Sequence, residues 1–258
     1  IRFFHEENIP HEIWSYKRCR ELAPALAETC GDVVWLGEGQ VNNREMHDAL
    51  VASSHKLGIE VSEKNVTGFI YDSSSLEAAI TDAGKVRAKN FVIASGSWST
   101  QLGNILGVSL PVKPIKGQMC RLQVTDDKFD YTVHGLMSYI APWKGGKGFV
   151  VGTTMEDRGF DPSIEEDVIS NLIYKAAKVI PCLKSAPLIE SWTGLRPAAE
   201  DLMPVMGKSS RYKNLFYSTG HYRNGILQTP HQADYIAETI LGTLANEIPE
   251  FSPKRYNL

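Results

Sequence analysis

The amino-acid sequence predicts a mixed α/β fold in which a layered α/β part alternates along the chain with an antiparallel or mixed β-sheet part. Apolar residues at helical spacing alternate with short β-rich runs, and both kinds of segment recur in several blocks. A chain of 258 residues is long enough for one large domain or two interleaved ones. The predicted α/β segments are 37–63, 86–110 and 192–246, the β-rich segments are 1–36, 64–85 and 111–191, and residues 247–258 form a tail, loose from residue 251.

The composition is that of an ordinary globular protein, with 43% hydrophobic and 22% charged residues. A net charge of -3 gives no general basic field for nucleic acid, and no apolar run reaches the length of a membrane span. We therefore expect a soluble, cytoplasmic protein that binds neither nucleic acid nor membranes. Widely spaced cysteines and histidines predict reduced thiols and no metal site. The cysteines are Cys19, Cys30, Cys120 and Cys182.

The first part of the chain carries clear signals for the start and end of its elements. Asn42 is followed by Glu45, which predicts a capping-box start, and Gly58 ends the helical spacing that follows. Asp82 and Gly84 predict a hairpin turn between two strands. The predicted strands are 32–36, 59–61, 66–71, 76–80 and 86–88, and residues 14–22 form a mixed helix.

A buried strand predicted at 90–95 ends in Ser95 and Gly96 and gives way to a helix at 98–106. The ribose or phosphate of a nucleotide approaches an α/β sheet at such a point. A tight turn that needs glycine is at least as good an interpretation of this stretch alone. Further on, an antiparallel sheet is predicted from two extended runs on either side of Lys116–Gly117 and from a hairpin that pairs 138–143 with 148–153.

Two later helices have predicted starts. Ser163 and Glu166 match a capping box. Thr229 is a predicted N-cap with Pro230 at the first helical position. A helix directed in this way offers free N–H groups and the positive end of its dipole to whatever the loop at 220–225 touches, which suits an anion or an electron-rich ring.

Arg196 lies in the stretch Trp-Thr-Gly-Leu-Arg-Pro at 192–197, where proline and glycine fix the backbone. A planar guanidinium held in this way can bind a carboxylate through two hydrogen bonds. The alternative is a structural arginine that pairs with Glu200 or Asp201. These residues alone favour the structural interpretation.

Several short motifs occur in one order along the chain and together resemble the D-amino-acid oxidase superfamily of FAD-dependent amine oxidases, most closely the glycine oxidases of thiamine biosynthesis. The resemblance covers residues from about 35 to about 242. Flavoproteins of this superfamily open with Gly-x-Gly-x-x-Gly, which this sequence lacks, and the chain starts at Ile1. The motifs are Val-Ile-Ala-Ser-Gly-Ser-Trp at 92–98, Pro-Ile-Lys-Gly-Gln at 114–118, Tyr-Ile-Ala-Pro at 139–142, Val-Gly-Thr-Thr-Met at 151–155, Gly-Leu-Arg-Pro at 194–197 and Gly-His-Tyr-Arg-Asn-Gly-Ile-Leu at 220–227.

The resemblance implies an incomplete, Rossmann-like FAD-binding domain interleaved with a substrate domain, with roughly the first quarter to third of the family's length absent. It also implies non-covalent FAD and a small amino acid, such as glycine, sarcosine or a D-amino acid, whose C–N bond is oxidised to an imine while oxygen is reduced to hydrogen peroxide. Nothing in the sequence chooses among these substrates.

The resemblance further implies a role for individual residues. Arg196 would clamp the substrate carboxylate, Tyr139 would help to hold it, and Met155 and Arg223 would lie beside the pocket. Their structural alternatives are an ion pair, an aromatic side chain on a sheet, a core methionine and a loop-stabilising donor, respectively. The implied flavin contacts are Val66, Ser95, Gly96, Gly194, Gly220, His221, Arg223, Asn224, Gly225, Ile226 and Leu227.

Two other functions stay open. One is a dehydrogenase of the same fold that passes electrons to a quinone or a partner subunit. The other is a catalytically silent, flavin-free fragment, because a chain without the first βαβ unit need not hold FAD. A homo-oligomer, or another chain that supplies the absent part, is compatible with each of these functions.

Overall fold

The computed structural model describes residues 1–124, 130–135, 138–143 and 148–258. The chain divides into two compact units that alternate along the sequence. The assignment of flavin and substrate roles to particular segments stays a prediction. Unit 1 comprises Ile1–Asn42, Gly117–Glu156 and Asp161–Gly194, and unit 2 comprises Asn43–Lys116, Asp157–Phe160 and Leu195–Leu258.

The predicted mixed α/β class is confirmed. The α-helices of the described residues are α1 (Arg2–Glu6), α2 (Tyr16–Leu22), α3 (Asn43–Lys56), α4 (Ser99–Ile105), α5 (Glu166–Val179) and α6 (Gly225–Leu241). The strands are β1 (His11–Trp14), β2 (Val33–Leu36), β3 (Val66–Tyr71), β4 (Leu76–Thr81), β5 (Gly84–Arg87), β6 (Phe91–Ile93), β7 (Val112–Leu122), β8 (Val133–Gly135), β9 (Ser138–Pro142), β10 (Phe149–Gly152), β11 (Leu188–Ala199), β12 (Val205–Lys208) and β13 (Leu215–Thr219). None of these helices is long and apolar enough to cross a bilayer.

Unit 1 is built on a sheet with the strand order β11-β7-β10-β9-β8, beside a two-stranded sheet of β1 and β2. Side chains alternate between the two faces of a strand. Cys120, Ile140 and Val151 therefore share one face, where they form a core with α5 residues such as Leu172 and Ala176. The opposite face, which we call the far face, carries Met119, Arg121, Tyr139, Val150 and Gly152.

Unit 2 contains a sheet of order β12-β13-β6 and an antiparallel sheet of order β3-β4-β5. In the first of these sheets β13 and β6 are parallel, with Tyr217 opposite Ile93. Both side chains are buried in the core of this unit. Because the two strands run in the same direction, the turns that follow them, at Ser95 and at Gly220, leave the same edge of the sheet.

The predicted helix starts differ from the observed ones. Helix α6 begins at Gly225, and Thr229 lies inside it, where its Oγ1 donates to the Gly225 carbonyl oxygen at 2.8 Å. Pro230 also lies within the helix. Helix α5 begins at Glu166 without a side-chain cap, because the Ser163 hydroxyl donates to Asp161 Oδ2 at 2.8 Å instead. Threonine and serine can use one hydroxyl in several local patterns, and sequence alone did not choose the right one.

Other local predictions also need correction. Residues 59–61 form no strand, and Ile59 and Val61 are exposed. The two runs around Lys116–Gly117 are one continuous strand, β7. The segment from residue 251 is packed, because Leu258 is buried and its carbonyl oxygen accepts from the Ser210 amide at 2.8 Å. The predicted hairpins are confirmed at β4–β5 and β9–β10, while the tip at 144–147 lies outside the described residues.

Candidate functional site

Three hydroxyl groups join the ends of the two parallel strands in unit 2. Ser99 Oγ donates to the Gly96 carbonyl oxygen at 2.7 Å and lies 2.7 Å from Thr219 Oγ1. Ser95 Oγ donates to Ser99 Oγ at 3.2 Å. Both Ser99 and Thr219 are fully buried. These bonds fix the turn after β6 against the end of β13, although residues 99 and 219 are far apart in the sequence.

Gly220 and Gly96, the two glycines at this edge, differ in the space around them. Gly220 has a φ of +74°, and a Cβ there would lie 3.2 Å from Ala199 Cβ and 3.4 Å from Val205 Cγ2. A side chain at this position is therefore both strained and crowded. Gly96 has a φ of +54°, but a Cβ there would meet nothing within 4 Å. Its backbone borders open space in which a ligand can approach closely.

His221 follows Gly220 and docks on the end of β11, where it forms an isolated antiparallel bridge with Ala198. The next amide, of Tyr222, donates to the Pro197 carbonyl oxygen at 2.7 Å. Among the described residues, no group partners the buried His221 Nε2. Burial lowers the pKa of His221 to about 4, so the imidazole is neutral at pH 7. A neutral imidazole with a buried nitrogen that no described group partners is a candidate contact for a ligand.

The loop then passes directly into α6. Asn224 is the N-cap residue, but its side chain makes no capping bond to the first N–H groups of the helix. Arg223 and Asn224 are exposed, and Ile226 and Leu227 expose 43% and 83% of their surfaces. Residues 223–227 thus present backbone donors, a cationic side chain and apolar surface together.

Arg196 lies in the part of β11 that belongs to unit 2 and is half-buried. Its Nη1 donates to the Lys116 carbonyl oxygen at 3.5 Å. Of its two sequence-based ion-pair alternatives, Asp201 accepts from Arg255 through both carboxylate oxygens, at 2.8 and 3.2 Å. The side chain of Asp201 is therefore committed to another arginine.

Tyr139 lies on the far face of unit 1, on β9. Its hydroxyl donates to Met119 Sδ at 3.5 Å. Gly152, on the strand between them, pairs with both residues. Gly194 lies beyond Met119 on β11, and a Cβ there would be 3.9 Å from Met119 Cε. The structure thus connects the predicted residues Tyr139 and Gly194 through Met119, which the sequence did not single out.

Met155 lies in the loop after β10 and is 56% exposed. The buried Gln118 holds this loop, because its backbone N–H donates to Thr154 Oγ1 at 2.8 Å and its Nε2 donates to Glu156 Oε1 at 3.1 Å. Gln118 Oε1 in turn accepts from the Glu165 amide at 2.8 Å. Gln118 ends a motif that the sequence analysis noted, but its role depends on residues about 40 positions away.

The structure places the predicted site residues in separate groups. In unit 2 it brings Ser95 and Gly96 to the same sheet edge as the run from Gly220 to Leu227. Val66 lies at the start of β3, where it pairs with Thr81 of β4. This is not the sheet that carries Ser95 and Gly220. In unit 1, Tyr139 and Gly194 share the far face. Turns at the carboxyl ends of parallel strands, with glycines and a helix N-terminus, are typical of α/β proteins that bind dinucleotide cofactors.

Comparison with known proteins agrees with this class. The chain belongs to the DAO family of FAD-dependent oxidoreductases, and the sequence model of this family matches residues 2–239.

Three relatives illustrate the similarity. A bifunctional protein ThiO/ThiG of Nostoc sp. is 36% identical over 227 residues, which are 86% of this chain and 34% of that protein. Glycine oxidase of Geobacillus kaustophilus is 32% identical over 223 residues, 85% of this chain and 59% of that protein. Its crystal structure superposes with a TM-score of 0.90 at 30% identity and covers 97% of this chain and 68% of that one. A hydrogen cyanide synthase subunit HcnC of Pseudomonas protegens is 30% identical over 227 residues, 85% of this chain and 52% of that protein.

The chain thus spans between about a third and about three-fifths of the length of these curated relatives. The groups of unit 2 fit the ring end of FAD, since no group of the described residues partners His221 Nε2 and the Asn224 side chain does not cap the first N–H groups of α6. The open space at Gly96 allows close approach of a ligand to the backbone. Of the residues predicted to contact flavin, Gly220 to Leu227 include these groups.

Proposed function

We propose that this chain carries the flavin-ring site and the substrate-binding residues of an FAD-dependent amino-acid oxidase that acts on glycine or another small amino acid. The observation that supports this most is the edge of unit 2, where the neutral His221 lies in the loop that opens α6 and no group of the described residues partners its Nε2. The chemistry that FAD supplies when bound is the removal of two electrons from the substrate and their transfer to oxygen.

The chain's own residues would bind and orient. Backbone N–H groups at the start of α6 stabilise negative charge on a ring placed against them, because they lie at the positive end of the helix dipole. His221 adds a hydrogen bond without adding charge, since burial keeps its imidazole neutral at pH 7. It need not act as an acid or a base.

Arg196 would hold the substrate carboxylate, because its half-buried guanidinium is planar, always charged and able to make two parallel hydrogen bonds. The family resemblance implies that Tyr139 donates its hydroxyl hydrogen to a substrate carboxylate. It also implies that Arg223 and Met155, both exposed, lie near a substrate. The flavin contacts proposed for Val66, Ser95, Gly96, Gly194 and Asn224 rest on the family resemblance and on the positions given above.

The decisive experiment records the visible absorption of the purified chain with added FAD, before and after anaerobic addition of glycine, sarcosine or D-alanine. We expect FAD to be retained, its visible bands to bleach with at least one of these substrates, and hydrogen peroxide to form when air is admitted. Retained FAD that none of the three bleaches would contradict the substrate class. No retention of FAD at any concentration would support the catalytically silent fragment.

The second candidate is a dehydrogenase that passes electrons to a quinone or a partner subunit. It is favoured by the similarity to HcnC, whose name describes a subunit of hydrogen cyanide synthase. The same purified protein separates the two functions. Turnover with an artificial dye but without peroxide formation in air would support the dehydrogenase, and we propose the oxidase as the first choice. A cytoplasmic location stays a prediction of the sequence.

A further inference from the structure

A row of residues crosses the far face of the unit 1 sheet from strand to strand. Met119 of β7 pairs with Gly152 of β10, which pairs in turn with Tyr139 of β9. On the other side of Met119 lies Gly194 of β11. Because both neighbours of Met119 in this row are glycines, its thioether fills the space between Gly194 and Tyr139.

Close packing holds the Met119 side chain in this place. A Cβ on Gly152 would lie 2.7 Å from Met119 Cγ, which is closer than real side-chain contacts, so Met119 leans over Gly152. The same Cβ would lie 3.4 Å from Tyr139 Oη. Met119 and Tyr139 therefore share the room above one glycine, and the hydrogen bond from Tyr139 to Met119 Sδ joins them at 3.5 Å.

A carboxylate that replaces Met119 Sδ as the acceptor of the Tyr139 hydroxyl comes into contact with this thioether. The oxygen of a hydrogen-bonded carboxylate lies about 2.7 Å from a hydroxyl oxygen. Met119 Sδ lies 3.5 Å from the same Tyr139 oxygen. Sulfur is a weak acceptor, so a carboxylate takes the hydrogen bond and packs against the displaced methionine. The atoms next to the carboxylate, which are the α-carbon and its substituents, then face the Met119 side chain.

We propose that Met119 limits the size of the amino acid that the site accepts, by filling the room that a larger substituent on the α-carbon requires. This inference rests on the proposed function, and specifically on Tyr139 as a carboxylate ligand. Met119 itself lies outside the sequence motifs named above. Glycine fits beside the thioether, whereas each added carbon competes with it for space.

The test compares kcat/KM for D-alanine and glycine in the FAD-loaded protein. Met119→Ala is expected to raise the ratio of D-alanine to glycine about tenfold, the usual effect of one methyl group in a pocket. Val150→Ala is the matched control. Val150 is an apolar residue of β10 on the far face, but it pairs with Arg121 and not with Met119. This variant is expected to change the ratio less than about threefold.

Further measurements separate failure of this inference from failure of the proposed function. Tyr139→Phe should raise KM for both amino acids alike. An unchanged ratio in Met119→Ala, with raised KM values in Tyr139→Phe, overturns the role of Met119 alone. Unchanged KM values in Tyr139→Phe overturn the carboxylate site and the inference with it.

Two additions make the test independent of folding and of turnover. Met119→Val, which loses less volume, replaces Met119→Ala if thermal unfolding shows the latter to be unfolded, and the same direction of change is expected. Calorimetric titration with acetate and 2-methylpropanoate measures the size limit without catalysis. Met119→Ala should favour the larger acid, and failure of both acids to bind the unsubstituted protein overturns the inference.

Discussion

The sheet edge of unit 2 and the far face of unit 1 are built in different ways. At the edge, glycine turns and buried hydroxyls set the path of the backbone, and the groups offered to a ligand are largely main-chain N–H groups. On the far face a regular sheet supports the side chains of Met119 and Tyr139 above Gly152. A change at the edge should therefore act through folding, and a change on the far face should act through the shape of the site.

Arg196 tests the limit of this comparison, because it is a side-chain group within unit 2. Arg196→Ala is expected to raise substrate KM by about 100-fold or more, through loss of a charge-assisted, bidentate contact, while FAD stays bound. Steady-state kinetics and flavin absorbance measure the two effects. Arg255→Ala is the control, since that arginine pairs with Asp201, and it should leave KM unchanged. Unaltered kinetics in Arg196→Ala would remove the clamp from the proposed site.

Alanine at Gly220 and at Gly152 compares the two regions directly. Gly220→Ala is expected to cost about 2–5 kcal/mol of unfolding free energy, because the residue has a φ of +74° and its Cβ would crowd Ala199. Gly152→Ala should cost less, about 1–3 kcal/mol, since its Cβ would crowd Met119 Cγ at 2.7 Å but Gly152 has no left-handed backbone conformation to strain. Urea denaturation measures both.

The matched control for Gly220 is Gly242, the residue after α6, which has nearly the same φ of +73°. A Cβ there meets nothing within 4 Å, so Gly242→Ala should cost only the conformational part, about 1–2 kcal/mol. Equal losses at both positions would show that crowding at the edge does not matter. A larger loss for Gly152→Ala than for Gly220→Ala would reverse the comparison.

The buried hydroxyls should contribute less than the backbone conformation. Thr219→Val is expected to lower the unfolding free energy by about 1–3 kcal/mol, because Ser99 then loses a buried partner at 2.7 Å. Thr67→Val on the exposed surface of β3 is the control, with an expected change below about 0.5 kcal/mol. Chemical denaturation of both variants decides the matter, and similar values for the two would mean that the hydroxyl cluster does not secure the edge.

The smallest expected effect is a pH dependence at His221. The unfolded chain takes up a proton at the imidazole near pH 6.5, but in the folded chain the pKa is about 4. Between these values the unfolded state binds more protons than the folded state. The stability that comes from the neutral His221 is therefore fully present above pH 6.5 and is lost as the pH falls toward 4. The stability lost at one pH unit below 6.5 is about 1.4 kcal/mol.

Denaturation of the unsubstituted chain and of His221→Gln, at pH 7.5 and at about pH 5.5, measures this contribution. The variant lacks the titrating group, so its stability should fall less between the two conditions. An equal fall in both proteins would show that His221 titrates normally.

Sequence reasoning succeeded where a local signal had one use. The turn between β4 and β5, the strand before Gly96 and the helix that Gly58 ends were predicted because glycine at those points has few alternatives, although β6 ends at Ile93 rather than at Ser95. It went wrong at Thr229 and Ser163, whose hydroxyls serve a helix carbonyl and a neighbouring aspartate rather than a cap. Which bond a hydroxyl makes depends on the surrounding structure.

The candidate site was predictable only in part. Ordered motifs pointed to Arg196, Tyr139 and the loop at 220–227, but not to what supports them. The bond between Ser99 and Thr219 requires the parallel pairing of β6 with β13, and the position of Met119 requires glycines on both neighbouring strands. Contacts between residues so distant in sequence leave no local pattern, so only the structure reveals them.

The alternation of the two units along the chain has a consequence for biosynthesis. Unit 1 takes its last segment from Asp161–Gly194, and unit 2 is not complete until Leu195–Leu258 has been added. A nascent chain therefore cannot finish either unit before residue 161 has been translated, even though strands of both units have already been synthesised. Apolar strand surfaces stay without their partners until later segments are translated, so we expect chaperone protection and translation speed to affect the yield of this protein.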